Sequence, residues 1–172
     1  MIDLATAALI AKMASDAIGA FDKVFRGYAD FLKKKEPSAP NVPPPDFAYV
    51  DAPKQKAFVA QSRQTGATYQ TVTYDELCNK LNASDRQYIE TLSQAMRNYE
   101  LQWNAATLQR SMASGMDIGR LDAQLDYLVK QMADPLLKVL TFVEKMGLHL
   151  DDHYQITRQL TEQYIHDSRS SS

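Results

Sequence analysis

The chain has 172 residues, of which 45% are hydrophobic and 23% are charged, and its formal net charge is −2. This length fits one domain, and this balance of apolar and charged residues excludes a wholly disordered chain. The single cysteine excludes an internal disulfide framework and a cysteine-based zinc cluster, and the near-neutral charge argues against nucleic acid as a partner.

The first predicted element is a long amphipathic helix over residues 4–34, within an N-terminal segment of residues 1–35. Apolar side chains recur there at steps of three and four residues, which is the spacing of one helix face. The stripe consists of Leu9, Met13, Ala17, Phe21, Val24, Phe25, Tyr28, Phe31 and Leu32. Three lysines at positions 33–35 complement the helix dipole and indicate the C-terminal end of the helix.

The same segment predicts neither a secretory leader nor a membrane span. Asp3 stands where a leader would carry positive charge. Lys12 and Asp16 interrupt the apolar run before it reaches the roughly 18 residues that a span needs. We therefore expect a cytoplasmic protein.

Residues 36–72 are predicted to form a proline-rich linker followed by irregular structure. Six of the seven prolines lie here, at Pro37, Pro40, Pro43, Pro44, Pro45 and Pro53. Proline has no amide hydrogen to donate, and it restrains the preceding residue to extended angles. Residues 54–63 fit a short helix. Residues 66–72 are rich in β-forming residues but have no predicted strand to pair with, so a loop is predicted there.

Residues 73–167 are predicted to form a bundle of about four helices, because amphipathic segments alternate there with short connections. Thr73 followed by Glu76 has the pattern of a capping box, which predicts the start of a short helix. Ser84 followed by Gln87 has the same pattern and predicts the start of a second long helix.

The helix after that has the most regular apolar spacing in the chain. Its apolar positions step by three and four residues in turn, as in a coiled coil, and we predict that they form an oligomer seam. The seam residues are Ile118, Leu121, Leu125, Leu128 and Met132. Asp134 and Pro135 predict a kink or a brief break after the seam. A last helix is predicted over residues 152–166, before a disordered tail at 168–172.

Few residues suggest catalysis or metal binding. His149 and His153 are four residues apart, a spacing that can place two imidazoles on one helix face, and Asp152 lies between them. Asp151 fits a helix cap, however, so His149 would precede the helix and the pair would lose that geometry. Cys78 has no histidine near it in sequence and is interpreted as an inert thiol. We expect no metal, no cofactor and no enzymatic activity, with a metal-dependent enzyme as the alternative.

The predicted fold is all-α: an antiparallel helical bundle with a long N-terminal amphipathic helix joined to it by a Pro-rich linker. The apolar stripe of that helix is longer than a short bundle easily covers, so we expect it to bind a protein partner or a second copy of the chain. The predicted contact residues are Leu9, Met13, Phe21, Phe25, Tyr28, Phe31 and Leu32.

This pattern predicts an interaction protein: an adaptor, an inhibitor or immunity protein, or a subunit of a larger assembly. The alternative for residues 1–35 is peripheral contact with an anionic membrane. Asp3, Asp16, Asp22 and Asp30 make the polar face of the helix nearly neutral, which weakens that alternative.

Overall fold

The computed structural model describes residues 2–35, 47–62 and 64–147. Its elements are α1 (Leu4–Lys35), β1 (Phe47–Ala52), a 3₁₀ turn (Pro53–Gln55), β2 (Ala57–Ser62), β3 (Thr68–Thr73), α2 (Tyr74–Lys80), α3 (Ala83–Met112) and α4 (Met116–Lys145). The prediction of a long first helix is confirmed. The predicted last helix over 152–166, the tail at 168–172 and the most proline-dense part of the predicted linker lie outside the described residues.

The all-α prediction is wrong. Three strands form an antiparallel sheet in the order β1-β2-β3, so the fold mixes helices with a sheet. Val50 pairs with Val59 across the first ladder, and Phe58 pairs with Val72 across the second. The segments predicted as a short helix and as a loop therefore lie largely in β2 and β3. The loop prediction assumed an isolated strand, whereas three segments in succession supply one another with partners.

The two turns of the sheet explain why proline misled the sequence analysis. Pro53 begins the turn between β1 and β2 instead of continuing a linker. Lys56 follows in the left-handed region with φ 50°, and its amide donates to the Pro53 carbonyl at 3.2 Å, which reverses the chain. Between β2 and β3, Gly66 has φ 72° and its amide donates to the Ser62 carbonyl at 3.0 Å. Glycine reaches this region without steric cost.

Capping boxes begin both α2 and α3. The predicted box at Thr73 is confirmed, because its hydroxyl accepts from the Glu76 amide at 3.2 Å and the Glu76 carboxylate accepts from the Thr73 amide at 2.8 Å. For α3 the predicted cap at Ser84 is wrong. Asn82 caps this helix instead, and the Asp85 carboxylate accepts from the Asn82 amide at 2.8 Å.

Helix α4 runs from Met116 to Lys145 with Pro135 inside it, so the structure shows no break at the predicted position. Proline removes one backbone hydrogen bond from a helix interior. Met132, Leu136 and Val139 are all fully buried on either side of it. The packing of this apolar face stabilises the continuous helix against the cost of the proline.

The core lies where α1, α3 and α4 pack against one another, and one face of the sheet contributes Phe58, Ala60 and Val72 to it. Helix α1 runs parallel to α3. Lys23 pairs with Glu100 at 3.6 Å, and further along both helices the rings of Tyr28 and Trp103 meet edge to face, with centroids 6.2 Å apart.

Helices α3 and α4 form an antiparallel hairpin, as predicted for neighbours joined by a short connection. Lys145 Nζ lies 2.9 Å from both carboxylate oxygens of Asp85 at one end of the pair. The Arg110 guanidinium donates to Asp122 near the connection at the other end. These two ion pairs fix the register of the hairpin.

Tyr74 ties α2 to the sheet, because its hydroxyl donates a hydrogen bond to Asp51 on β1. Burial, that hydrogen bond and the charge of Asp51 raise the pKa of Tyr74 to about 12. The folded state thus favours the neutral phenol. This contribution to stability is complete below about pH 10, where an unfolded tyrosine is also neutral, and it is lost as the pH rises toward 12.

We predict that Tyr74→Phe lowers the free energy of unfolding at pH 7 by about 1.5–3 kcal/mol, the range for a hydrogen bond to a charged group. The difference in free energy of unfolding between wild type and variant should become smaller at alkaline pH. Urea denaturation at pH 7 and at about pH 11.5 measures both values. Tyr127→Phe, at an exposed position, should change stability little at either pH. A gap for Tyr74→Phe that stays constant with pH would contradict the prediction.

Candidate functional site

Helix α1 presents little of the predicted binding stripe to solvent. Phe21 and Tyr28 are buried in the core of their own chain, and Met13 is half-buried. Leu9 has 36% of its surface exposed. Three of the predicted contact residues have side chains outside the described set: Phe25, Phe31 and Leu32. The described part of the stripe is mostly covered by its own chain, against the expectation from sequence.

Over residues Leu4–Tyr28, α1 is also long and apolar enough to cross a membrane by length and composition. Lys12 and Asp16 do not exclude a span by this test, and the stretch also contains Asp22, Lys23 and Arg26 toward its C-terminal end. The core helix of a soluble protein passes the same test. Here one face of the stretch, including Ile10 and Ala14, is fully buried against the rest of the chain. Membrane contact through residues 1–35 stays a prediction.

The predicted oligomer seam also faces inward. Leu121, Leu125, Leu128 and Met132 are buried in their own chain, and Ile118 at the start of the helix is half-buried. Their spacing reflects packing of α4 against α1 and α3, because a helix inside a small bundle needs the same three- and four-residue steps as a coiled coil.

The residues considered for chemistry offer no assembled centre in the part of the chain that the structure describes. Cys78 is buried, and burial raises the pKa of its thiol, which keeps it protonated and unreactive. Among residues 2–35, 47–62 and 64–147, no group of three or more His, Cys, Asp or Glu side chains is arranged to hold a metal ion. His149, Asp152 and His153 lie outside these ranges.

The most distinctive exposed feature is an apolar surface at the connected end of the α3–α4 hairpin. We call it the hairpin-tip surface, and it consists of Leu101, Ala105, Leu108, Met112 and Met116. Leu101 and Leu108 expose 60% and 61% of their surface, Met112 exposes 72%, and Met116 exposes 94%. Single exposed apolar residues are normal, but several at helical spacing along one face are typical of an interaction site.

Helical geometry places the α3 members of this surface on one face. Leu101, Ala105, Leu108 and Met112 are separated by four, three and four residues, so they project within a narrow sector along about 17 Å of helix. Trp103 and Ala106 are buried on the opposite side of the same helix, toward α1 and α4. Helix α3 therefore has two apolar faces, of which only one is used by the core.

The hairpin-tip surface carries almost no charge. Between Leu101 and Met116 the only charged residue is Arg110, which is paired with Asp122, and the neighbouring Glu100 is paired with Lys23. Exposed amide side chains flank the stripe on both sides, and the charged residues Arg97 and Asp117 are exposed at its two ends. The amides are Asn98, Gln102, Asn104 and Gln109. Amides can both donate and accept hydrogen bonds.

This surface was not predicted from the sequence. Adjacent residues in a helix differ by about 100°, so Leu101 lies roughly 200° around the axis from Trp103. The sequence of α3 nevertheless contains a second series of apolar residues with the same helical spacing. A single stripe is the usual pattern of a helix on a protein surface, so two stripes on one helix are not expected.

A cleft of about 460 Å³ lies at the other end of the hairpin and is lined by Tyr88 and Phe142, whose ring centroids are 5.9 Å apart. Asp85 and Lys145 line it and neutralise each other. The paired charges leave little electrostatic attraction for a ligand, so the cleft is a weaker candidate site than the hairpin-tip surface.

No protein-family model, no curated protein and no solved structure matches this chain.

Proposed function

We propose that this chain is a non-enzymatic protein–protein interaction module, of the adaptor, inhibitor or assembly-subunit kind, that binds its partner through the hairpin-tip surface. The observation that carries the proposal is the exposure of two leucines and two methionines at helical spacing on and beside one face of α3. The contact surface differs from the predicted one, because the core uses most of the stripe of α1.

The energetics favour coverage of this surface. Fully burying one leucine or methionine contributes about 1.5–3 kcal/mol, and these four side chains start from exposures of more than half. Methionine is unbranched and adapts to irregular partner surfaces, which suits Met112 and Met116 at the C-terminal end of the surface. The same segment of α3 is anchored in the core by the buried side chains of Trp103 and Ala106.

We predict that a photo-crosslinking side chain placed at Met112, in the full chain expressed in its native host, forms covalent adducts with a protein partner. Leu101→Asp/Leu108→Asp in the same protein should reduce the adduct yield at least about tenfold, because charge at a central apolar contact is costly to bury. Mass spectrometry of the adducts measures the yield and identifies the captured chain.

The matched control is Gln87→Asp/Thr91→Asp, which adds the same two charges at exposed positions of α3 outside the hairpin-tip surface. It should leave the adduct yield unchanged. Circular dichroism should show that both double variants are folded. Equal adduct yields in the two double variants, or no adducts at Met112 in the parent, would contradict the proposed function.

A further inference from the structure

We infer that the occupant of the hairpin-tip surface is a second copy of this chain, bound with the two α3 helices antiparallel about a two-fold axis near Ala105. This inference rests on the proposed function and names its partner. In a two-fold dimer the same patch is used by both subunits, so the patch must be complementary to itself.

The charge distribution meets this condition. Like charges brought face to face oppose association, so a charged patch is poorly suited to pairing with its own copy. Along most of the hairpin-tip surface this problem does not arise, since Arg110 pairs with Asp122 and Glu100 with Lys23, and the exposed charge of Arg97 lies beyond Leu101 at one end. Apolar side chains carry no charge, so they pack against identical side chains without electrostatic repulsion.

The rim is also complementary to itself. Each amide of Gln102, Asn104 and Gln109 offers two N–H donors and one carbonyl acceptor, so it can hydrogen-bond to another amide. A rim of lysines or glutamates would instead select a partner of the opposite charge. The chemistry of both stripe and rim therefore fits a second copy without requiring any other sequence.

The position of Arg97 sets the direction of pairing. It is exposed one helical turn before Leu101, close to the line of the stripe. Parallel helices would bring it toward Arg97 of the second copy. Antiparallel helices centred near Ala105 instead place it beside the uncharged connection around Gly115, and they set Leu101 of one copy beside Leu108 of the other.

The small side chain of Ala105 lets the two helices approach closely at the axis. Helix axes pack about 8–10 Å apart, and Cα atoms lie about 2.3 Å from each axis. Two facing Cα atoms are then separated by roughly 3.4–5.4 Å, and the upper part of this range overlaps the Cα–Cα distance that a disulfide spans. A cysteine at this position therefore reports on the proposed geometry directly.

The experiment uses the full chain with Cys78→Ser, so that Ala105→Cys supplies the only thiol. Mild oxidation should give a disulfide-linked dimer in high yield, and Thr141→Cys in the same background, exposed on α4, should give little. Light scattering should show the cysteine-free protein as a dimer, and Leu108→Asp should weaken dimerisation at least about tenfold. Thermal unfolding confirms that each variant is folded.

A monomer by light scattering at concentrations up to about 1 mM, together with no preferential disulfide at position 105, overturns the inference. Millimolar affinity corresponds to only about 4 kcal/mol, below what this surface should provide. The proposed function is judged separately by the adducts at Met112. Adducts with a different chain would retain the function and reject the second copy, whereas no adducts and no dimer would reject both.

Discussion

Ile10→Ala should lower the free energy of unfolding by about 2–5 kcal/mol, whereas Leu9→Ala should lower it by about 1 kcal/mol or less. Both residues lie in α1, next to each other and of the same side-chain volume. Ile10 has none of its surface exposed and belongs to the core cluster, whereas Leu9 exposes 36% of its surface. Removing three carbons from Ile10 leaves a cavity between packed elements, and removing them from Leu9 leaves mostly solvent-accessible space.

The comparison separates the two uses of this helix. If α1 were held by a membrane in place of its own chain, both residues would lie in the span Leu4–Tyr28 and the folded body would not depend on either. Urea denaturation of the two variants measures the difference. Equal, small losses of stability in both variants would show that the fold does not need α1. They would instead support a role for α1 in binding a partner or a membrane.

The helices could be located from sequence because their signals are local. The stripe of α1 runs from Leu9 to Leu32, about seven turns of helix. The capping box at Thr73 uses residues only three apart. What α1 packs against, in contrast, depends on residues that are distant in the sequence. A stripe of aromatic and aliphatic side chains has the same spacing whether it packs against α3 and α4 of its own chain or against another protein, so the pattern could not distinguish the two.

The sheet was missed for the opposite reason. Each strand has six residues, and the turns between them contain Pro53 and Gly66, which punctuate the sequence as a linker does. The central strand, β2, reads AFVAQS and is almost entirely buried on both faces, so it lacks the apolar–polar alternation that identifies a half-exposed strand. This segment forms a strand because it pairs with β1 on one side and with β3 on the other.

The hairpin-tip surface could be predicted from the sequence only in part. Leu101, Leu108 and Met112 have a local helical spacing that sequence analysis can detect. Their exposure follows only from knowing that the opposite face of α3, with Met96 and Trp103, is the one that the core takes. A helix with two apolar faces can bury either, and the choice depends on α1 and α4.

Phe58→Ala should lower the free energy of unfolding by about 3–5 kcal/mol, which would make the sheet as important to stability as the helices. Phe58 has none of its surface exposed and belongs to the core cluster with residues of α1, α3 and α4. The matched aromatic is Tyr69 on β3, which has 43% of its surface exposed. Tyr69→Ala should cost about 1 kcal/mol or less, since part of its ring already contacts solvent.

A second pair tests whether β3 is a strand. Neighbouring side chains of a strand point to opposite faces of the sheet, so Val72, which is buried, and Thr71, which is exposed, should respond differently to truncation. Val72→Ala should cost about 1.5 kcal/mol for two buried methyl groups, and Thr71→Ala should cost only a few tenths. Urea denaturation of the four variants provides the values. If residues 66–72 formed a loop, truncation of Val72 and of Thr71 would not differ in this way. A small effect of Phe58→Ala would mean that the sheet does not pack on the helices.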